Sequence, residues 1–168
     1  MKHSIPRTAR AMALLLLGLS CITGSSAGSC SVTSTGMAFG RYQPLFFAGK
    51  LASSDRISDA TISVVCTAVA TGGSYTISLG ASAPENSITP RYLTHEAGGP
   101  GMAFNIYLDG TYTNVWGDGI TGAVLSGSIP LGDSSQSHPV FGRVPAGQNQ
   151  LRAGNYSGSL TMTVTYNP

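Results

Sequence analysis

Apolar and polar positions alternate along most of this chain with a period of two. From Thr61 to Ala68, residues Ile62, Val64, Cys66 and Ala68 fall on one face, opposite Thr61, Ser63, Val65 and Thr67. Tyr75, Ile77 and Leu79 alternate with Thr76 and Ser78, and Met102, Phe104, Ile106 and Leu108 with Ala103, Asn105 and Tyr107. The last segment is the cleanest, with Leu160, Met162, Val164 and Tyr166 on one face and Ser159, Thr161, Thr163 and Thr165 on the other. Successive strand side chains point to opposite faces, so each run predicts a half-buried β-strand. Threonine suits the wet face, because its branched carbon fits the pleat while its hydroxyl stays solvated. Beyond Ala27 no window carries the i, i+3, i+4, i+7 spacing of a helix. Gly72-Gly73, Gly98-Gly99-Pro100-Gly101, Asp109-Gly110, Asp118-Gly119 and Pro145-Ala146-Gly147 punctuate the runs as turns. Short strands separated by such turns predict an all-β fold, an antiparallel sandwich or barrel. No composition shift and no internal repeat divides residues 28–168, which read as one domain.

The first 27 residues follow a different pattern. Lys2, Arg7 and Arg10 precede the apolar run Ala11 to Leu19, and small residues ending in Ser25-Ser26-Ala27 follow it. A basic head, a short apolar segment and a small-x-small exit predict a secretory signal peptide over 1–27, cleaved after Ala27. The rival readings are a retained anchor and lipid attachment at Cys21. The run falls short of the ~20 residues of a membrane span, and Gly18 stands where a lipoprotein signal normally has Leu, so the mature chain is expected to have no membrane span. Removing the three basic residues of the head from nine leaves six against seven acids. That balance gives no basic footprint, and nucleic acid is set aside as a partner. Only 10% of residues are charged, against the usual ~25%, which excludes charge-driven disorder and coiled coils. Roughly 140 remaining residues suffice for a sizeable core.

Export also decides how the cysteines read. Without Cys21, the pair Cys30 and Cys66 remains in an oxidising compartment, which predicts a structural disulfide. On the chain-entropy model a loop of about 37 residues is worth roughly 3–4 kcal/mol. The bridge ties the first strand to the apolar face that carries Cys66. A catalytic thiol would need a base nearby, and two cysteines do not make a metal-ligand set.

Few residues offer chemistry. His95-Glu96 are neighbours and diverge if that stretch is extended, which leaves a solvated loop pair. Asp109 and Asp118 have the residue types of a glycosidase pair or of calcium ligands, but each precedes Gly as in a turn. Thr111, Thr113 and Val115 occupy the alternate positions that a calcium loop fills with oxygen ligands, largely acidic. Nucleophile elbow, phosphate loop and zinc-protease motifs are lacking. Trp116 and the tyrosines read as core. The chain is therefore expected to be no enzyme and to use no cofactor and no metal.

Several segments, taken in order, carry a resemblance. They are Cys30-Ser31-Val32, Phe39-Gly40-Arg41-Tyr42, Ser63-Val64-Val65-Cys66, Tyr75-Thr76-Ile77-Ser78-Leu79 and Phe104-Asn105-Ile106-Tyr107-Leu108-Asp109. Trp116-Gly117-Asp118-Gly119, Phe141-Gly142-Arg143-Val144-Pro145-Ala146-Gly147-Gln148 and Gly154-Asn155-Tyr156-Ser157 follow. Together they resemble the spore coat protein U domain family, which includes the pilins of archaic (Csu-type) chaperone–usher pili. One departure is Gly158, where relatives commonly carry Asp.

The resemblance implies an incomplete immunoglobulin-like antiparallel β-sandwich, completed by donor-strand complementation, in a secreted, non-catalytic structural or adhesive pilus subunit. It implies an apolar strand-acceptor groove, placed by analogy along Leu160, Met162, Val164 and Tyr166. The implied partners are a periplasmic chaperone that fills the groove first, an outer-membrane usher, and other pilin subunits by strand exchange. The implied location is the periplasm during assembly, then the surface pilus. Cleavage after Ala27 leaves Gly28 and Ser29 ahead of Cys30, whereas a donor strand needs on the order of ten residues. A subunit that accepts a strand and lends none is expected at the tip of a fibre, in surface attachment and biofilm formation. The alternative is a secreted coat or matrix protein complete by itself.

Overall fold

The computed structural model describes residues 28–45, 53–83 and 85–167. The expected signal peptide over 1–27 and Cys21 lie outside the described residues. Within them run nine strands: β1 (Ser29–Ser34), β2 (Arg56–Val69), β3 (Gly73–Leu79), β4 (Arg91–His95), β5 (Met102–Tyr107), β6 (Leu125–Ile129), β7 (Gly132–Val144), β8 (Tyr156–Ser157) and β9 (Met162–Asn167). All pair antiparallel. One sheet has the order β1-β2-β7-β5-β4-β8 and the other β6-β3-β9. The fold is an all-β sandwich of the immunoglobulin-like kind.

The expected alternation packs the interior. Ile62, Val64 and Cys66 of β2 face Tyr75, Ile77 and Leu79 of β3, with Trp116, Leu125, Ile129 and Val140 in the same core cluster. A second cluster holds Met102, Phe104 and Val144, covered by Phe39, Tyr42 and Tyr156. Burying a large aliphatic side chain is worth roughly 1.5–3 kcal/mol, so these faces dominate the favourable side of folding.

Three local expectations differ from the structure. Ala68 leaves the apolar face: the β2–β7 register shifts between Cys66 and Val69, and Ala68 is exposed at φ 53°. Its N–H is taken by Asp133 Oδ1 at 2.8 Å instead of the ladder, as expected of a bulge. His95 is not a solvated loop residue. It ends β4 buried, edge-on to Tyr156 with centroids 4.8 Å apart, and its Nδ1 accepts the Ala97 N–H at 3.1 Å. Asn105, on the polar face by alternation, is also buried, because it meets Arg91.

Candidate functional site

The two sheets meet unevenly along one side of the sandwich. Among the described residues, β1 is an edge of the larger sheet, laddered to β2 alone, with Cys30 opposite Cys66 and Val32 opposite Val64. Among the same residues, β9 is an edge of the smaller sheet, laddered to β3 alone, with Val164 opposite Ile77 and Tyr166 opposite Tyr75. Neither edge pairs with the other. Between them opens a cleft of about 270 Å³ lined by Cys30, Val32, Val64, Tyr75, Ile129, Val164 and Tyr166. Val164 and Tyr166 remain 45% and 46% exposed, although they sit on the same face as buried neighbours across the ladder. The slot is apolar, and its two bounding edges carry N–H and C=O groups without a ladder partner among the described residues, a geometry that suits addition of an extended backbone with apolar side chains at alternate positions.

Of the four residues placed on the groove by analogy, Val164 and Tyr166 line this cleft. Met162 opens β9, half-buried, and Leu160 lies ahead of the strand; both pack against the core. Cys30, Val32, Val64, Tyr75 and Ile129 complete the lining. Alternation marks the β2 and β3 members as apolar, and Cys30 belongs to the first strand through its disulfide; Val32 and Ile129 lie outside the alternating runs read from the sequence.

The walls are held by specific bonds. Cys30 and Cys66 form a disulfide across the β1–β2 ladder. At the floor, the buried Tyr75 hydroxyl donates to Gln136 Oε1 at 2.8 Å and lies 2.5 Å from His138 Nε2. Burial pushes the Tyr75 phenol up. A Cβ at Gly127 would overlap that phenol. On the far side, β6 passes directly into β7, and the Gln136 amide donates to the Ser128 carbonyl, so this corner is closed.

β6 covers β3 only as far as Ile77. Past that point Trp116-Gly117 takes over: the indole N–H donates to the Ile77 carbonyl at 2.8 Å, and the Leu79 N–H donates to the Gly117 carbonyl at 2.9 Å. Arg91, which the sequence did not single out, finishes the edge. Its buried guanidinium donates to the carbonyls of Leu79 (2.7 Å), Gly80 (2.9 Å) and Trp116 (2.9 Å) and to Asn105 Oδ1 (2.6 Å). Desolvation lowers its pKa to about 10, so it remains charged at neutral pH, with Asp118 pulling the other way. With its β6 side satisfied by these groups, β3 passes the open edge on to β9.

The other family-motif residues shape turns and packing. Asp118 Oδ1 accepts the N–H groups of Ile120 (2.9 Å) and Thr121 (2.7 Å), and Gly119 has φ 91°. A Cβ at Gly117 would overlap the Thr121 carbonyl, and one at Gly142 the Met37 sulfur. Phe39 meets Phe104 edge-on at 6.0 Å, followed by Gly40 with φ 67°. The Tyr42 hydroxyl donates to the Pro145 carbonyl at 2.9 Å and accepts the Gln148 N–H at 3.1 Å. Gln148 also clasps Ala103, accepting its N–H at 2.7 Å and donating to its carbonyl at 3.0 Å. Arg143 pairs with Asp55 at 2.6 Å beside Phe141, and the Gly147 N–H reaches Ser53 Oγ at 2.8 Å. Gly154 approaches the His95 ring too closely for any side chain, and the Tyr156 hydroxyl donates to the Arg152 carbonyl at 3.1 Å.

The two aspartates weighed for catalysis are both engaged in turns. Asp109 accepts the Thr111 hydroxyl, the Thr113 hydroxyl at 2.6 Å and the Asn114 N–H at 2.9 Å, which hold its carboxyl well below the usual range. Backbone N–H groups of Thr121 and Ile120 lower Asp118 in the same way. Glu96 is lowered by the side-chain and backbone N–H groups of Asn155. Among the described residues no helix is long and apolar enough to cross a membrane.

The Spore Coat Protein U domain model matches residues 17–163. No curated protein sequence matches the chain. Among solved structures, the CsuC–CsuE chaperone–tip adhesion subunit pre-assembly complex from archaic chaperone–usher Csu pili of Acinetobacter baumannii is similar at 20% identity and a TM-score of 0.49. The match covers 82% of this chain and 39% of that one. A chaperone–tip adhesin complex described as vital for synergistic activation of CFA/I fimbriae biogenesis is similar at 12% identity and a TM-score of 0.40, covering 79% of this chain and 41% of that one. This chain thus spans about two-fifths of the length of either. With the family model matched over most of its length, the chain belongs to the Spore Coat Protein U domain family.

Proposed function

We propose that this chain is a non-catalytic structural and adhesive subunit of a chaperone–usher pilus, which works by accepting a β-strand from a neighbour. The observation that carries this reading is the apolar cleft between the unpaired edges of β1 and β9, with Val164 and Tyr166 left half-exposed. An inserted strand gains ladder hydrogen bonds on two sides, each worth roughly 0.5–1.5 kcal/mol net. Its alternate side chains enter the slot about 7 Å apart, at two strand rises of ~3.3 Å. A periplasmic chaperone supplies that strand first, and another pilin subunit replaces it at an outer-membrane usher. The chain is exported behind a signal peptide over 1–27, and residues 28–168 form the domain that reaches the surface.

The position in the fibre follows from the cleavage site. β1 already begins at Ser29, so cleavage after Ala27 leaves only Gly28 ahead of the sandwich and no donor strand. Such a subunit belongs at the tip, where it meets surfaces and supports biofilm formation. Sequencing the mature N-terminus tests this: ten or more residues ahead of Cys30 return it to the shaft.

The strand-accepting reading is tested by expressing the exported chain with and without its periplasmic chaperone. Alone, the open edges predict degradation or aggregation; together, a stable complex. A chain that accumulates alone as a soluble, protease-resistant monomer overturns the reading in favour of a self-complete coat or matrix protein.

A further inference from the structure

Alternation puts Leu160, Met162, Val164 and Tyr166 on one face, so a slot running the length of that segment would offer an inserted strand four inward steps. The cleft offers two. Val164 and Tyr166 line it, whereas Met162 is half-buried and packs with Leu160 against the core. The opposite wall stops at the same depth. On β1 the inward positions are Cys30, Val32 and Ser34, opposite Cys66, Val64 and Ile62. Cys30 and Val32 line the cleft. Ser34 does not, and its hydroxyl accepts the Gly36 N–H at 3.2 Å.

Beyond that point the chain fills the space between the sheets with its own residues. The Thr35 N–H still meets the Thr61 carbonyl at 3.2 Å, and Gly36 then turns at φ 75°. A Cβ on Gly142, which lies between the buried Val140 and Val144 on the inner face of β7, would overlap Met37 Sδ and the Phe39 ring. Those two side chains therefore lie inside the sandwich. Met37 and Met162 pack on the first core cluster, Phe39 on the second and Leu160 on both. The open half is held in shape. Its floor is Tyr75, whose hydroxyl is fixed on β7 by Gln136 and His138, and the disulfide ties β1 to β2. A dry cavity of ~150 Å³ holds one benzene ring. The cleft, at about 270 Å³, holds two side chains of that size.

Resting on the strand-accepting reading, we infer that the cleft selects a donor segment with two large apolar residues at positions i and i+2, and takes no third. One anchor seats beside Tyr166 and the other beside Val164. The ladder groups of the two edges serve any extended backbone, so the anchors carry the selectivity. A third large side chain would stand over Ser34, where Met37 has already closed the gap.

The test is displacement of the chaperone from its purified complex with the exported chain by synthetic ten-residue peptides. These have a Ser/Thr background, terminal lysines, and Leu at one, two, three or four successive alternate positions. Constant length keeps the ladder constant, and the half-displacing concentration is read by size-exclusion chromatography. The second Leu is expected to gain about tenfold over the first, and the third and fourth less than about threefold. Met37→Ala, which removes the side chain closing the slot, is expected to give the third Leu a gain of about tenfold. A tenfold gain at the third or fourth Leu in the unaltered chain, or none at the second, overturns the inference and leaves strand acceptance standing. A folded Met37→Ala chain in which the third Leu gains nothing overturns the closure assigned to Met37. If that variant does not fold, the peptide series decides alone. Failure of every peptide to displace the chaperone at millimolar concentration overturns strand acceptance itself, and the inference with it.

Discussion

Placing a charge at Val164 separates a filled cleft from a finished surface. In the isolated sandwich Val164 is 45% exposed and opposes Ile77 on the adjacent strand. Full burial of a valine side chain is worth roughly 1.5–3 kcal/mol. With a little under half of that burial still to come, strand insertion gains about 1 kcal/mol at this residue. Val164→Asp therefore costs the free chain little, about 1–2 kcal/mol, as expected for loss of β-propensity and partial burial at an edge. In the completed sandwich the carboxylate is shut away beside the incoming strand. Losing the apolar gain and desolvating an unpaired charge together cost at least about 3 kcal/mol, which is roughly a 100-fold or greater loss of affinity. Thr165→Asp, one residue along and on the outward face, serves as the control. The free-chain cost is read from urea unfolding of dilute refolded protein, with the single, buried Trp116 as fluorescence probe. The affinity is read from co-purification with chaperone. The reasoning fails if Val164→Asp retains the chaperone as well as Thr165→Asp does, or if Val164→Asp alone unfolds the free chain.

Replacing Cys30 and Cys66 together with Ala removes a closure over a sequence separation of 36, which lowers stability by roughly 3–4 kcal/mol and is read from the urea midpoint. Arg91→Met leaves the Leu79, Gly80 and Trp116 carbonyls without their donor; a loss of about 3–5 kcal/mol is expected, visible as a lower thermal midpoint. Gly117→Ala forces a Cβ into the Thr121 carbonyl and is expected to cost at least about 1–3 kcal/mol, checked in the same melt. Asp109, Asp118 and Glu96 all have lowered folded-state pKa values. Their contribution is present above the unfolded carboxylate values near ~4 and is lost as pH falls through the lowered folded ones. Acid titration of Trp116 fluorescence should show unfolding only below that range, with a shallower slope in Asp109→Asn.

What was legible in the sequence follows from how local each signal is. Alternation in β2 and β3 could be read because each of these strands has one core face, and period two then records burial directly; in β9 the same alternation marks a face that the sandwich leaves largely exposed. β7 could not be read, because its first half, Gly132 to Ser137, is polar and Pro139 sits inside it. A proline argues against a central strand. Here it is tolerated because β5 pairs only with Phe141 to Arg143, so β7 has a single partner at Pro139. Arg91 and His95 escaped for the opposite reason. An arginine reads as surface and a histidine beside Glu96 as loop, and only tertiary contact supplies the three carbonyls and the Tyr156 ring that justify their burial. The cleft is harder still. Leu160, Met162, Val164 and Tyr166 are equivalent by alternation, yet the first two are covered by core and the last two are not. That distinction depends on where β1, from the opposite end of the chain, stops covering the gap, so no window of sequence contains it. An open cleft is a relation between two edges, and it becomes visible only once both sheets are in place.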